Sequence, residues 1–349
     1  MSVNLNFLEE LTPEQILQLN MLVYESTLES GKISDYFKVV NNVKTGDPIY
    51  LKYFSDSMIG KRRKGNCELN EHILELKTDG KKWVICGADF RIPLCSDEIK
   101  VAYEKWAHGV GHGIEQFDLI TAKEFMDFIL PVLEDKINDM YMRYAWFGDS
   151  NADENEDLTC DHEFFDFCDG VFPQLETMKA NGEKINYVKI EDNEFTDKAI
   201  NSSVNTFDIL KNVILGASNK LRSETGQRIY VSQAFLTKME LDLINQEEGC
   251  CTEKARSVQE NGIRTFNYLG HTLIPVPEWD KIILTCFGNK NPFRVIYTTA
   301  DNLQFGTPSR DRMENFDAFL DKKSKKFYID GLQEMGISVV EAELVSYAL

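Results

Sequence analysis

Hydrophobic positions along this chain change period several times, and each change marks a new element. Thr12 and Pro13 open a stretch with Ile16, Leu19, Leu22 and Val23 at helical spacing, which predicts a short amphipathic helix within residues 1–36. Residues 37–45 read as a strand entering a turn at Gly46, Asp47 and Pro48. From there to residue 99 the pattern alternates, with strand-like runs at 49–56, 72–77 and 83–90 and a basic loop at 60–66. Asp79 and Gly80 between two alternating runs signal a hairpin. Thr121 and Glu124 form a capping-box pattern, followed by an apolar stripe of Phe125, Phe128, Ile129, Val132, Leu133, Ile137, Met140, Tyr141 and Tyr144. A long helix over 121–146 is predicted, bent at Pro131, which removes a backbone donor.

Two further helices are predicted at 163–180 and 207–222, the second turning Leu210, Val213, Ile214, Ala217 and Leu221 inward. A strand at 228–232, a helix at 233–246 and three strands at 272–276, 282–287 and 293–299 follow. Pro275 and Pro277 place the first of those three at a sheet edge. From Val295 onward, short β-branched and aromatic runs broken by Gly predict that the last residues are built into a sheet.

The 349 residues exceed one compact core, so two or more lobes are expected. With 43% hydrophobic and 27% charged residues the composition is that of a globular protein, not a disordered one. The first residues carry no basic and apolar leader pattern, and no apolar run reaches about eighteen residues, which predicts a soluble chain made in the cytosol. The eight cysteines (67, 86, 95, 160, 168, 250, 251 and 286) are scattered, so most are expected as free thiols in apolar space. The net charge of −19 repels phosphate and disfavours a dedicated nucleic-acid binder.

Several motifs invite a chemical reading. The glycines of 109–113 lack the Lys-Ser/Thr ending and the preceding strand of a phosphate loop, so a turn is expected there. Asp149, Asn151, Asp153, Asn155 and Asp157 alternate like the start of a calcium loop, but Glu154 stands where Gly is needed and Cys160 where Glu is needed. That excludes an EF-hand and leaves a solvated acidic loop or a weak surface cation site. Cys160, His162 and Cys168 offer three zinc-type ligands without finger spacing or an evident fourth, and Cys168 on an apolar run reads as a buried thiol. Cys250 and Cys251 are read as oxidation-prone in a polar loop. No nucleophile elbow, HExxH or cofactor fingerprint is present among five histidines, so neither an enzyme nor a cofactor is predicted.

The turn of Asn302, Leu303, Phe305, Gly306 and Thr307, followed by a strand pair closing on 345–349, resembles the major capsid proteins of tailed double-stranded DNA bacteriophages. The order of elements is also similar to their Hong Kong 97-type α+β fold. The resemblance implies an N-terminal arm at 1–45, an extended β-hairpin loop at 46–100 and a peripheral domain at 101–205 with a spine helix at 121–146. It further implies an axial domain at 206–304 and a return to the peripheral domain at 305–349. It implies self-assembly through pentamers and hexamers into an icosahedral shell around phage DNA, in the virion, assembled in the host cytoplasm. A separate scaffolding protein, a portal and decoration proteins would be the partners.

On that reading, Lys61, Arg62, Arg63 and Lys64 form a docking patch for an acidic neighbour, or else a solvated turn, and Trp83 joins them as an inter-subunit contact candidate. The apolar residues of the loop, among them Ile49 and Ile85, are expected to need a neighbour for burial. Some relatives crosslink Lys to Asn; Lys61, Lys64 and Lys81 lie in the loop, but no crosslink is predicted. An encapsulin-like nanocompartment shell, and a soluble α+β enzyme with an unrecognised carboxylate site, remain the alternative readings.

Overall fold

The computed structural model describes residues 32–49, 81–95, 122–191, 193, 205–246, 256–260, 263–308, 317–321 and 326–349. The helix expected before residue 32, the basic loop with Lys61, Arg62, Arg63 and Lys64, the turn at Asp79 and Gly80, the glycines of 109–113 and the Cys250–Cys251 pair lie outside these residues.

In chain order the helices are α1 (Lys32–Tyr36), α2 (Ala122–Phe147), α3 (Val171–Ala180), α4 (Thr206–Gly216), α5 (Asn219–Ser223), α6 (Gln233–Gln246) and α7 (Pro277–Cys286). The strands are β1 (Lys38–Val40), β2 (Cys86–Cys95), β3 (Asn186–Val188), β4 (Gln227–Val231), β5 (Arg256–Glu260) and β6 (Ile263–Tyr268). They continue with β7 (His271–Pro275), β8 (Val295–Thr299), β9 (Leu303–Gly306), β10 (Asp317–Asp321), β11 (Lys326–Val339) and β12 (Val345–Ala348).

Seven strands form one mixed sheet in the order β3-β12-β8-β4-β7-β6-β5. Successive side chains of a strand point to opposite faces. Accordingly β8 sends Ile296 into one core and Val295 and Tyr297 into the other, and β4 divides Tyr230 from Ile229 and Val231 in the same way. The central strands are apolar on both sides because both faces are covered. Helices α2, α3 and α7 cover one face, and α4 and α6 the other.

Trp146 near the end of α2 is fully buried at the centre of the first core. Its ring centroid lies 6.3 Å from that of Tyr36, 4.7 Å from Phe37, 4.8 Å from Trp279 and 6.0 Å from Tyr230. One indole thus joins α1, α2, α7 and the sheet. Arg294, beside β8, has its guanidinium carbon 4.4 Å from the Phe172 ring centroid and 4.9 Å from that of Phe147. Burial pulls its pKa down to about 9, with Asp280 and Glu176 opposing that shift.

The smaller sheet runs β1-β9-β11-β10, with β2 on the other side of β11. Helix α2 spans 26 residues and continues through Pro131, which faces solvent. The last strand, β12, lies inside the larger sheet between β3 and β8, as the terminal apolar runs predict.

Several expectations are corrected. The helix expected at 163–180 begins at Val171, because Gly170 is extended and packs against Tyr144 and Gly148 where a Cβ would meet the Tyr144 carbonyl oxygen at 2.6 Å. The helix expected at 207–222 breaks at extended Ala217, and Ser218 caps the new helix α5 by accepting from the Leu221 N–H at 3.0 Å. Residues 282–286 are helical rather than a strand, with Phe287 as the C-cap: Pro277 opens α7, and Trp279, Ile282 and Ile283 share its buried face. The strand at 271–275 is interior, between β4 and β6, since Pro275 sits at its last position and Val276 supplies the next donor to the Val231 carbonyl.

The free-thiol expectation also fails for four cysteines. Disulfides join Cys86 to Cys168 and Cys160 to Cys286, with Cα separations of 5.8 and 4.8 Å. Both separations lie inside the bridging range of about 4.4–6.8 Å. Partners 82 and 126 residues apart meet only through the fold, which cysteine spacing does not encode.

Candidate assembly surfaces

Strand β11 is 14 residues long and belongs to the core only at one end. Its residues Gly336 to Val339 pair with β9, while Lys326 to Met335 pair antiparallel with all ten residues of β2, and Lys326 to Asp330 also pair with β10. Met335, Ile337 and Val339 are buried at the root. Farther out, Arg91 Nε donates to Asp330 Oδ1 at 2.7 Å and the guanidinium lies 5.6 Å from the Tyr328 ring centroid. This exposed pair fixes register more than it stabilises. Among the described residues neither β2 nor β10 pairs with a further strand, so the ribbon presents two edges.

The two ends of segment 50–80 are held side by side. Ile49 N–H donates to the Lys81 carbonyl at 3.0 Å, Trp83 N–H to the Asp47 carbonyl at 2.9 Å and Gly46 N–H to the Trp83 carbonyl at 2.8 Å. Trp83 is only 4% exposed within its own chain and packs there with Val43, Ile49 and Val340. Its ring lies flat on Gly306, where a Cβ would come 2.7 Å from a ring carbon. The apolar sequence signal was right about burial; the covering surface is β9 and the residue after β11, distant in sequence. Ile49 is covered in the same way.

A cleft of about 350 Å³ opens beside the ribbon root, between residues 81–86, α3 and β11. Lys81 lines it and donates from Nζ to the Val339 carbonyl. Burial lowers the pKa of this amine to about 8, against an opposing pull from Glu183. Gln174 of α3 also lines the cleft, and its side-chain amide bonds β11 where β2 has ended. Nothing in the sequence marks Gln174, since a polar residue in an amphipathic helix normally faces water.

The acidic loop folds on itself. Asp149 Oδ1 accepts from the Asn151 N–H at 2.9 Å, Ser150 Oγ donates to Asp169 at 2.7 Å, and Asp157 pairs with Lys290 at 2.5 Å. Of the three zinc-type candidates, Cys160 and Cys168 are in different disulfides and His162 Nδ1 lies 2.6 Å from the Ala152 carbonyl oxygen. Among the described residues no group of three or more His, Cys, Asp or Glu is placed to hold a metal ion. No helix among them is long and apolar enough to cross a membrane. Among the described residues, Val84, Phe164, Leu215, Leu269 and Leu284 are large apolar residues more than half exposed.

No protein-family model and no curated protein matches the sequence. Solved structures do match. A chain of the satellite phage P4 procapsid, solved with its size determination protein, is 9% identical with a TM-score of 0.50, and the match covers 95% of this chain and 98% of that one. The capsid of an empty GTA particle is 10% identical over 90% of this chain and 88% of that one, at a TM-score of 0.48. A holo-encapsulin complex from Synechococcus elongatus is 7% identical over 80% and 79%, at 0.41. The chain has the α+β fold of the procapsid chain, the Hong Kong 97-type fold.

Proposed function

We propose that this chain is a major capsid protein, a structural subunit that assembles into the icosahedral shell around the genome of a tailed double-stranded DNA phage. The observation that carries the reading is the likeness to a procapsid chain over 95% of its length. The geometry adds physical support. An excursion whose ends are clamped together beside Trp83, and a ribbon with two unpaired edges, are elements that gain by packing on neighbours. Repeating such contacts around symmetry axes closes a shell.

Within that proposal, residues 1–45 serve as an arm, 46–100 as the extended loop, 101–205 as the peripheral domain with α2 as spine, 206–304 as the axial domain and 305–349 as the return to the peripheral domain. Lys61, Arg62, Arg63 and Lys64 dock on an acidic neighbour. The net charge of −19 suits a wall past which DNA slides during filling. Scaffold, portal and decoration proteins are the proposed partners, and the virion capsid, assembled in the host cytoplasm, the proposed location.

Negative-stain electron microscopy and light scattering on the purified chain, with and without a candidate scaffold, test this. Closed shells or rings of five and six subunits support it. A species that stays a monomer or dimer under every condition overturns it and revives the enzyme reading. Shells purified from the native source with a cargo protein in place of DNA would reassign the chain to a nanocompartment.

A further inference from the structure

We propose that the Cys86–Cys168 disulfide is a thiol–disulfide exchange site, entered by a small peptide thiol through the cleft it lines, and that exchange there loosens the root of the β2–β11 ribbon. This concerns the chain itself and does not rest on shell assembly. Both cysteines line a cavity of about 350 Å³, with Cys168 also a member of the hydrophobic core behind it, so the bond sits where the core meets the cleft. Lys81 and Lys82 share that wall with Asp169 and Glu183, a lining of both signs that suits a thiol carrying an amine and carboxylates, as glutathione does. Cys86 is half-buried and Cys168 is 6% exposed, so Cys86 is the more accessible residue of the pair and attack is assigned to its sulfur.

The reduced state is also provided for. Cys168 Sγ lies 3.7 Å from the Val84 carbonyl oxygen and 3.9 Å from that of Met335, two acceptors for an S–H group that a disulfide cannot use. Thiolate access and a competent leaving sulfur govern such exchange. The thiolate of glutathione attacks Cys86 Sγ, the S–S bond breaks, and Cys168 leaves as a thiolate that takes up a proton. A second glutathione thiolate attacks the mixed disulfide, releasing oxidised glutathione and leaving Cys86 as a thiolate that also takes up a proton. Oxidised glutathione drives the reverse, accepting the two electrons that re-form the protein bond.

The bond ties the first residue of β2 to the loop that precedes α3, 82 residues away in sequence. Without it, the start of β2 keeps its pairing of Cys86 with Met335, the Thr45–Ile85 bonds and the Trp83 clamp, but loses its covalent tie to the loop before α3. The second disulfide, Cys160–Cys286, ties a loop to the end of α7 and is not in the cleft wall, so it serves as an internal control.

Hydrogen exchange read by mass spectrometry, on the full chain equilibrated with oxidised and then reduced glutathione, tests the proposal. Reduction is expected to speed exchange in Cys86–Cys95 several-fold. Cys86→Ser should show the fast rate in both buffers, and Cys160→Ser should keep the response. Peptide mapping should trap the glutathione adduct on Cys86, which decides the matter even if the variants fail to fold. Both thiols free after oxidised glutathione, an unchanged exchange rate in β2, or adducts confined to Cys160 and Cys286 would each overturn it.

Discussion

The side-chain amide of Gln174 donates to the Ile337 carbonyl at 2.9 Å, and its oxygen accepts from the Val339 N–H at 3.0 Å. Strand β2 ends opposite Met335, and among the described residues no strand takes its place beside these two β11 groups. One glutamine in α3 takes over the pairing and so fixes the helix layer to the ribbon root.

Gln174→Ala is expected to lower stability by about 2–6 kcal/mol, from two buried backbone groups left unpaired at ~1–3 kcal/mol each. Gln174→Glu keeps an acceptor for Val339 but offers no donor to Ile337, and should lose a comparable amount. Urea denaturation measures both. A value within about 0.5 kcal/mol of the parent would mean that water replaces the amide.

Gly306→Ala should cost about 1–3 kcal/mol, because the new methyl group meets the Trp83 ring in a packed site. Trp83→Leu alone leaves a cavity and also destabilises. Since the two residues touch, the double variant should lose clearly less than the sum of the single losses. Additive losses from the four urea midpoints would place the two side chains in independent sites.

Helix α6 was legible to its ends in the pattern of apolar residues, and so were the inward residues of α4 and α5, because those signals are local. The pairing of β2 with β11 was not. It joins residues more than two hundred positions apart, and either strand alone offers an alternating run compatible with many partners. The adjacent Ile282 and Ile283 read as strand because branched residues favour it, whereas Pro277 and the buried Trp279 carry the helical solution. The disulfides, the self-burial of Trp83 and the role of Gln174 share that cause: each depends on which surface arrives opposite.

Lys81 makes a pH dependence. Its amine titrates at about 8 in the folded chain, below the usual lysine value, because burial disfavours the charged form. Between that pH and the ordinary lysine pKa of about 10.4 the unfolded chain binds the extra proton, so this group's contribution to stability rises with pH across the window. Below pH 8 its penalty is fully present. Urea midpoints at pH 7.5 and 10, with free thiols alkylated, should therefore rise more for the parent than for Lys81→Met. Equal slopes would show that the amine is solvated.

Arg294→Lys is expected to cost about 2 kcal/mol, since a compact ammonium loses the guanidinium's contact with the Phe147 and Phe172 rings and cannot reproduce the Nε bond to the Asn291 carbonyl at 3.1 Å. Thermal unfolding of the two proteins measures the loss. No loss would show that charge alone, without planarity, satisfies the site.

Strand β11 runs unbroken from the ribbon into the sheet it shares with β9. A hinge would let a pull on the ribbon dissipate at a joint. Here tension travels along the covalent backbone and reaches the β9 hydrogen bonds as shear, loading all of them together instead of opening them one at a time. The ribbon is in this sense a lever rooted in the body of the fold, and strain applied at its tip becomes strain there.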